Sequence, residues 1–136
     1  MTNNQQLSPD LFRVVDANLN RLKEGIRVVE DILRYRDNNK ELSSKLKELR
    51  HAAQVTNSKE LLQYRDSTND VLRSSIKSEL NRNGVDAIIL ANFKRAQESS
   101  RVLEELYKLE NAKYSENFKY IRYELYMLEK SVLLDN

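Results

Sequence analysis

The segment ANLNRLKEGIRVVED, from Ala17 to Asp31, returns in closely similar form as ANFKRAQESSRVLEE, from Ala91 to Glu105. Each copy repeats apolar residues at the three- and four-residue spacing that forms one stripe along an α-helix. A helix with a single apolar stripe cannot bury that stripe alone, so a duplicated amphipathic helix favours folds in which helices pack on helices. The repeat therefore predicts an all-α fold with internal symmetry.

Composition favours the same fold class. The 136 residues include only two glycines, Gly25 and Gly84, and one proline, Pro9, and the rest is rich in residues that form helices. A chain of this length is typical of one domain with one core. We therefore expect a single helical domain over residues 1–136.

Helical periodicity divides the chain into two hairpins joined by a long connection. The first helix is predicted to begin at Ser8 and Pro9, because serine caps helices and proline fits the first turn. We expect hairpin 1 at about 8–56, a connection with short helical pieces at about 57–84, and hairpin 2 at about 85–134. Packing the hairpins together would bury both stripes and form a helical bundle with a pseudo-two-fold axis.

Charge and cysteine content argue against several classes of protein. The formal charge is +2 with basic and acidic residues interspersed, which does not favour nucleic-acid binding. Without cysteine there are no disulfides or thiolate-bound metals. The opening MTNNQQL does not resemble a signal peptide, and the longest apolar run, AIILA, is too short to cross a membrane. We expect a cytoplasmic protein without a membrane partner, and a homo-oligomer stays open.

The two copies share polar residues more closely than core residues. The stripe of the first copy changes throughout: Leu19, Leu22, Ile26 and Val29 become Phe93, Ala96, Ser100 and Leu103. Five polar pairs persist, which we call the shared polar residues: Asn18/Asn92, Arg21/Arg95, Glu24/Glu98, Arg27/Arg101 and Glu30/Glu104. Charged residues on helices commonly form solvated ion pairs, so a surface network and a ligand site both stay open. The asparagines either fix helix register or face a ligand.

A polar segment of the connection, YRDSTNDV from Tyr64 to Val71, is a second candidate site. Asp66 and Asp70 lie four residues apart beside Arg65 and hydroxyl groups, a set that can hold hydrated Mg²⁺ together with an anion. A connector built from Asx and Ser/Thr turns has the same composition. The chain has no glycine-rich phosphate loop, so a phosphate would be bound by Arg, Lys and helix ends.

The chain resembles the small all-helical hydroxymethylpyrimidine phosphate kinases in the segments DANLNRLKEGIRVVEDILRY, YRDSTNDV, ANFKRAQESSRVLEELYKL and IRYELYMLEK. That family occurs alone or fused to thiamine phosphate synthase. The resemblance covers nearly the whole chain, and implies that the γ-phosphoryl group of ATP passes to 4-amino-5-hydroxymethyl-2-methylpyrimidine phosphate in thiamine biosynthesis, with Mg²⁺. One departure is Leu72, where the family pattern usually has glycine.

The resemblance and the needs of phosphoryl transfer together suggest roles for individual residues. The expected contacts to ATP or substrate phosphates are Asn18, Arg21, Arg27, Arg65, Asn92, Arg95 and Arg101. The candidate catalytic residues are Glu24, Glu98 and Asp66, and the candidate Mg²⁺ ligands are Asp66 and Asp70. No strong general base is required, because the accepting phosphate is already ionised.

Two other functions stay open at this point. A cofactor-free helical enzyme resembling chorismate mutase also lines its pocket with Arg and Glu. A noncatalytic partner module of thiamine phosphate synthase would need no substrate of its own. Mg²⁺-ATP or the pyrimidine phosphate should raise the thermal stability of the kinase only, because a ligand stabilises the folded state that binds it.

Overall fold

A computed structural model describes residues 7–76, 80 and 82–135, and no strand occurs among them. The helices are α1 (Pro9–Asp31), α2 (Lys40–Ala52), α3 (Ser58–Gln63), α4 (Gly84–Tyr107) and α5 (Ala112–Lys130). π-Helical turns extend α1 over Ile32–Arg36 and α5 over Ser131–Asp135. The all-α prediction is confirmed. None of the helices in the described ranges combines the length and apolar character needed to cross a bilayer.

Asparagine side chains begin two of these helices. Asn39 accepts a hydrogen bond from the Leu42 N–H at 3.0 Å, and Asn111 accepts one from the Tyr114 N–H at 3.1 Å. These bonds satisfy N–H groups that have no partner within the helix. The predicted start of the first helix is confirmed, with Ser8 at the N-cap and Pro9 as the first helical residue, but the Ser8 side chain makes no capping hydrogen bond. Only its backbone carbonyl accepts, from the N–H of Leu11 at 2.9 Å.

The longest helices, α1 and α4, pack against each other along most of their length. In addition, α1 packs against α2, and α4 packs against α5. The predicted stripe is buried, and the core contains Leu22, Ile26, Leu46, Phe93, Leu103, Phe118, Ile121 and Leu125. The helices that contain the two copies, α1 and α4, thus form the centre of the bundle. The pseudo-two-fold axis stays a prediction.

In each half of the bundle, one ion pair to a buried glutamate joins the two helices. Glu30 of α1 is 1% exposed and accepts from Arg50 of α2, with Nε–Oε1 at 2.7 Å and Nη2–Oε2 at 3.1 Å. In the second half, Arg122 of α5 donates Nε and Nη2 to Oε1 of the buried Glu104 at 3.1 and 2.8 Å. The hydrogen bond to Glu30 raises the pKa of Arg50. The shared pair Glu30/Glu104 therefore fastens helices together.

Gly25 allows α1 and α4 to approach closely. A Cβ atom at this position would lie 3.0 Å from the backbone carbonyl oxygen of Asn92 and 3.3 Å from Cβ of Ala96. The first distance is shorter than ordinary van der Waals contact, so a side chain here would require the Asn92 backbone to move by a few tenths of an ångström. The crossing point lies among the shared polar residues, since Gly25 follows Glu24 directly.

We expect Gly25→Val to lower the free energy of unfolding by about 1–3 kcal/mol, the usual cost of overpacking a tight contact. Urea denaturation followed by circular dichroism measures this change. Lys119→Val, at an exposed position of α5, is the matched control and should cost less than about 1 kcal/mol through helix propensity. Equal losses in the two variants would contradict the close approach.

Candidate functional site

A cavity of about 660 Å³, the larger cavity, is lined by α1 and α4. Each helix contributes the same three types of shared polar residue: Asn18, Arg21 and Glu24 from α1, and Asn92, Arg95 and Glu98 from α4. A spacing of three residues places each set on one face of its helix. Val28 and Val102 add apolar lining, and Leu72 reaches the cavity from the connection.

Four charged residues of the larger cavity have no ion-pair partner among the described residues. Arg21, Glu24, Arg95 and Glu98 are all exposed, and none forms a salt bridge within the part of the chain that the structure describes. Two guanidinium groups without a carboxylate partner can both bind phosphate, because their planar N–H groups match two phosphate oxygens. The larger cavity is therefore suited to a phosphorylated ligand.

The structure does not bring Arg27 and Arg101 into the larger cavity. Arg27 pairs with Asp31 at 3.4 Å, and Arg101 pairs with Glu105 at 3.1 Å, in each case one helical turn away. These exposed pairs lie along single helices, as in the surface network that the sequence allowed. Each arginine also contacts the buried glutamate of its own helix, Arg27 to Glu30 at 3.8 Å and Arg101 to Glu104 at 3.3 Å. Their predicted role in phosphate binding stays a prediction, without support from their position.

A second cavity of about 380 Å³, the smaller cavity, lies between α1 and the connection. Arg21 and Glu24 line both cavities. The other polar side chains of the smaller cavity include Arg13, Asp16, Arg65, Asp66 and Asp70. The two cavities thus adjoin at Arg21 and Glu24.

Arg65 anchors the connection onto α1. Its Nε and Nη2 atoms donate to the two carboxylate oxygens of Asp16 at 2.7 and 2.8 Å, and these hydrogen bonds raise the pKa of Arg65. Nη2 of Arg13 donates to the carbonyl oxygen of Asp66 at 2.7 Å. Asp16 occupies the N–H groups of Arg65 that a phosphate would use. In this structure Arg65 therefore holds the connection against α1.

The carboxylates of Asp66 and Asp70 stabilise local turns as well as lining the smaller cavity. Asn69 donates its side-chain amide at 2.8 Å and its backbone N–H at 3.2 Å to Asp66, and the side-chain bond is the main cause that lowers the pKa of Asp66. Asp70 accepts from the N–H of Leu72 at 3.0 Å. These hydrogen bonds form local Asx-type turns, which hold both carboxylates in place.

The carboxylates of the smaller cavity could bind Mg²⁺ only together with ligands from a substrate. Among residues 7–76, 80 and 82–135 no group of three or more His, Cys, Asp or Glu side chains could hold a metal ion. Mg²⁺ is commonly bound by one or two carboxylates together with phosphates of the substrate. Asp66 and Asp70 fit that arrangement, since both carry oxygen ligands into one cavity.

Several residues of the site could not be found by comparing the two copies. Asp16 corresponds to Leu90 and Lys94 to Asn20, so neither is a shared residue. Lys94 lines the larger cavity and pairs with Glu129 of α5 at 3.2 Å. Asp16 opens the segment DANLNRLKEGIRVVEDILRY that carries the family resemblance, whereas no local pattern pairs Lys94 with Glu129, which lies 35 positions away.

The sequence profile of the ThiD2 family matches residues 13–131, which include both halves of the bundle and the connection. The chain belongs to the ThiD2 family. All the residues that line the two cavities fall within the matched range. The site is therefore part of the region that defines the family.

Proteins named thiamine-phosphate synthase are similar to this ThiD2 chain. One from Synechocystis sp. is 40% identical over 95% of the chain, and one from Nostoc sp. strain PCC 7120 is 35% identical over 95%. One from Thermosynechococcus vestitus is 37% identical over 92% of the chain. The chain spans 38%, 37% and 36% of the lengths of these relatives. No solved structure is significantly similar.

Proposed function

We propose that this ThiD2 protein is a phosphotransferase of thiamine biosynthesis, which transfers the γ-phosphoryl group of ATP to 4-amino-5-hydroxymethyl-2-methylpyrimidine phosphate. The observation that carries the proposal is the pair of adjoining cavities. In the larger cavity Arg21 and Arg95 form no ion pair with any residue that the structure describes, and Arg21 also borders the smaller cavity with its carboxylates. A reaction between two phosphorylated substrates needs two anion sites that meet. The names of the similar proteins supply the link to thiamine.

The reaction needs little covalent chemistry from the protein. A phosphate oxygen of the pyrimidine substrate attacks the γ-phosphorus of ATP, a P–O bond forms to that oxygen, and the bond to the β–γ bridging oxygen breaks, which releases ADP. Arg21 and Arg95 hold the accepting phosphate and offset the charge that builds up on the transferred group. Glu24 and Glu98 orient the attacking group, and no proton has to be removed from it.

Asp66 and Asp70 are the residues of this chain that would hold magnesium beside the nucleotide phosphates. When bound, Mg²⁺ neutralises negative charge on those phosphates. Asp16 and Arg65 keep the turn that carries these carboxylates against α1. The role of this part of the chain is thus to position the nucleotide relative to Arg21.

A noncatalytic module of thiamine-phosphate synthase is the second candidate. The observation that favours it is that the chain corresponds to little more than a third of relatives that bear that name. A module of this kind would bind the synthase without turning over ATP. A cofactor-free enzyme resembling chorismate mutase is a weaker alternative, supported only by the presence of Arg and Glu in a helical cavity.

A coupled assay for ADP release tests the proposal. We expect turnover with the pyrimidine phosphate and Mg²⁺, and little with the free hydroxymethylpyrimidine, because the free alcohol leaves the arginines unpaired. Omitting Mg²⁺ should lower the rate. Equal turnover of the two acceptors would contradict the phosphate contacts. No ADP with either, together with co-elution with thiamine-phosphate synthase, would favour the noncatalytic module.

A further inference from the structure

The side-chain amides of Asn18 and Asn92 have a fixed orientation. Asn18 donates Nδ2 to the backbone carbonyl of Val14 at 2.9 Å, and Asn92 donates Nδ2 to that of Ile88 at 2.8 Å. A backbone carbonyl can only accept a hydrogen bond, so the nitrogen of each amide must face it. The backbone carbonyl one turn earlier in the same helix therefore sets the orientation of each amide.

This orientation leaves the two amide oxygens free. Neither Oδ1 atom has a hydrogen-bond partner among the described residues, although Asn18 is only 8% exposed. Both side chains line the larger cavity. Neither oxygen belongs to the fully buried polar atoms without a partner, so each can be reached by a donor from a ligand in the larger cavity. The larger cavity therefore presents two oriented acceptors beside two arginines.

We propose that Asn18 and Asn92 select the ligand by an exocyclic amino group, which donates to an amide oxygen while arginine holds the phosphate. This inference rests on the proposed function, because the 4-amino group of the pyrimidine substrate is such a donor. A 4-oxo pyrimidine carries an acceptor at the same position, which would face the amide oxygen without a hydrogen between them. A site built for a donor rejects that analogue strongly.

The carboxylates of the larger cavity are less suited to this selection. Glu24 and Glu98 also accept hydrogen bonds, but they are exposed, and no described contact holds them in one orientation. Solvated and mobile acceptors adapt to a ligand and discriminate weakly. The amides are held by a hydrogen bond one turn back on the helix, which fixes the position of the oxygen before the ligand arrives.

Calorimetric titration of the full chain with the 4-amino pyrimidine phosphate and with its 4-oxo counterpart tests the inference. We expect the wild type to bind the 4-oxo compound at least about tenfold more weakly. At least one of the variants Asn18→Ala and Asn92→Ala should show a smaller ratio between the dissociation constants of the two compounds. Arg95→Gln is the matched control, since it should weaken the binding of both compounds by a similar factor. The ratio of their dissociation constants should therefore stay unchanged.

The outcomes separate this inference from the proposed function. Equal binding of the two compounds by the wild type, or an unchanged ratio in both asparagine variants, would overturn the inference alone. Binding of neither compound would overturn the proposed function as well. Circular dichroism checks that the variants fold, and the comparison of the two compounds on the wild type does not depend on any variant.

Discussion

Arg50→Met is expected to lower the free energy of unfolding by about 3 kcal/mol, because it removes both hydrogen bonds to the buried carboxylate of Glu30 and leaves only the longer contact to Arg27, at 3.8 Å. Glu30 is 1% exposed, and both of its oxygens accept from Arg50. The methionine side chain retains most of the apolar contacts of the arginine stem, so the loss reports mainly on the charge. Urea unfolding at neutral pH measures the change.

Lys45→Met is the matched control for this prediction. Lys45 forms an ion pair with Glu41 on the surface of the same helix, at 3.3 Å, and both side chains are more than half exposed. Exposed pairs of this kind contribute less than about 1 kcal/mol. The double variant Glu30→Met, Arg50→Met should recover part of the loss, because no buried charge remains unpaired. A loss in Arg50→Met no larger than in Lys45→Met would show that the buried pair does not stabilise the fold.

Arg95→Ala is expected to lower kcat/KM for the pyrimidine phosphate by roughly tenfold to a thousandfold, the range for losing a charged contact to the transferred or accepting phosphate. Arg21→Ala should act in the same direction, since Arg21 borders both cavities. Neither arginine has an ion-pair partner among the described residues. The loss should therefore appear in activity, measured as ADP release, with little change in thermal stability.

Arg36→Ala is the control for this experiment. Arg36 is exposed and pairs with the adjacent Asp37 at 2.7 Å, in the turn that follows α1. Its removal should leave ADP release unchanged. Because free hydroxymethylpyrimidine has no phosphate, Arg95→Ala should also narrow the preference between the two acceptors. An unchanged preference together with a lower rate would mean that Arg95 contacts ATP and not the acceptor.

Several features of the fold could be predicted from local patterns. The burial of Leu22, Ile26 and Val29 follows from their spacing along a helix, which every amphipathic helix imposes in the same way. The helix start at Ser8 and Pro9 was predicted correctly, although the Ser8 side chain makes no capping hydrogen bond. The close approach at Gly25 could not be predicted, since it depends on the backbone of α4.

The shared polar residues had three different outcomes, although the repeat treats them alike. Glu30 and Glu104 are buried in ion pairs between helices. Arg27 and Arg101 form pairs along their own helices, with an exposed acidic residue and with the buried glutamate of the same helix. The asparagines and the pairs Arg21/Arg95 and Glu24/Glu98 line the larger cavity. A polar residue that occurs in both copies is therefore constrained in both. The repeat does not show whether the constraint is structural or comes from a ligand.

The sequence by itself determined the helical class, the buried stripe and the set of residues that both copies keep, because helical periodicity is a property of neighbouring residues. Only the tertiary structure decided which charges find partners. Arg65 meets Asp16 across 49 positions of the chain, and Arg50 meets Glu30 across 20. Arg21 and Arg95 meet no carboxylate among the described residues. Whether a charge is neutralised or available to a ligand depends on which residue the packing of the helices places next to it. No local sequence pattern encodes that contact.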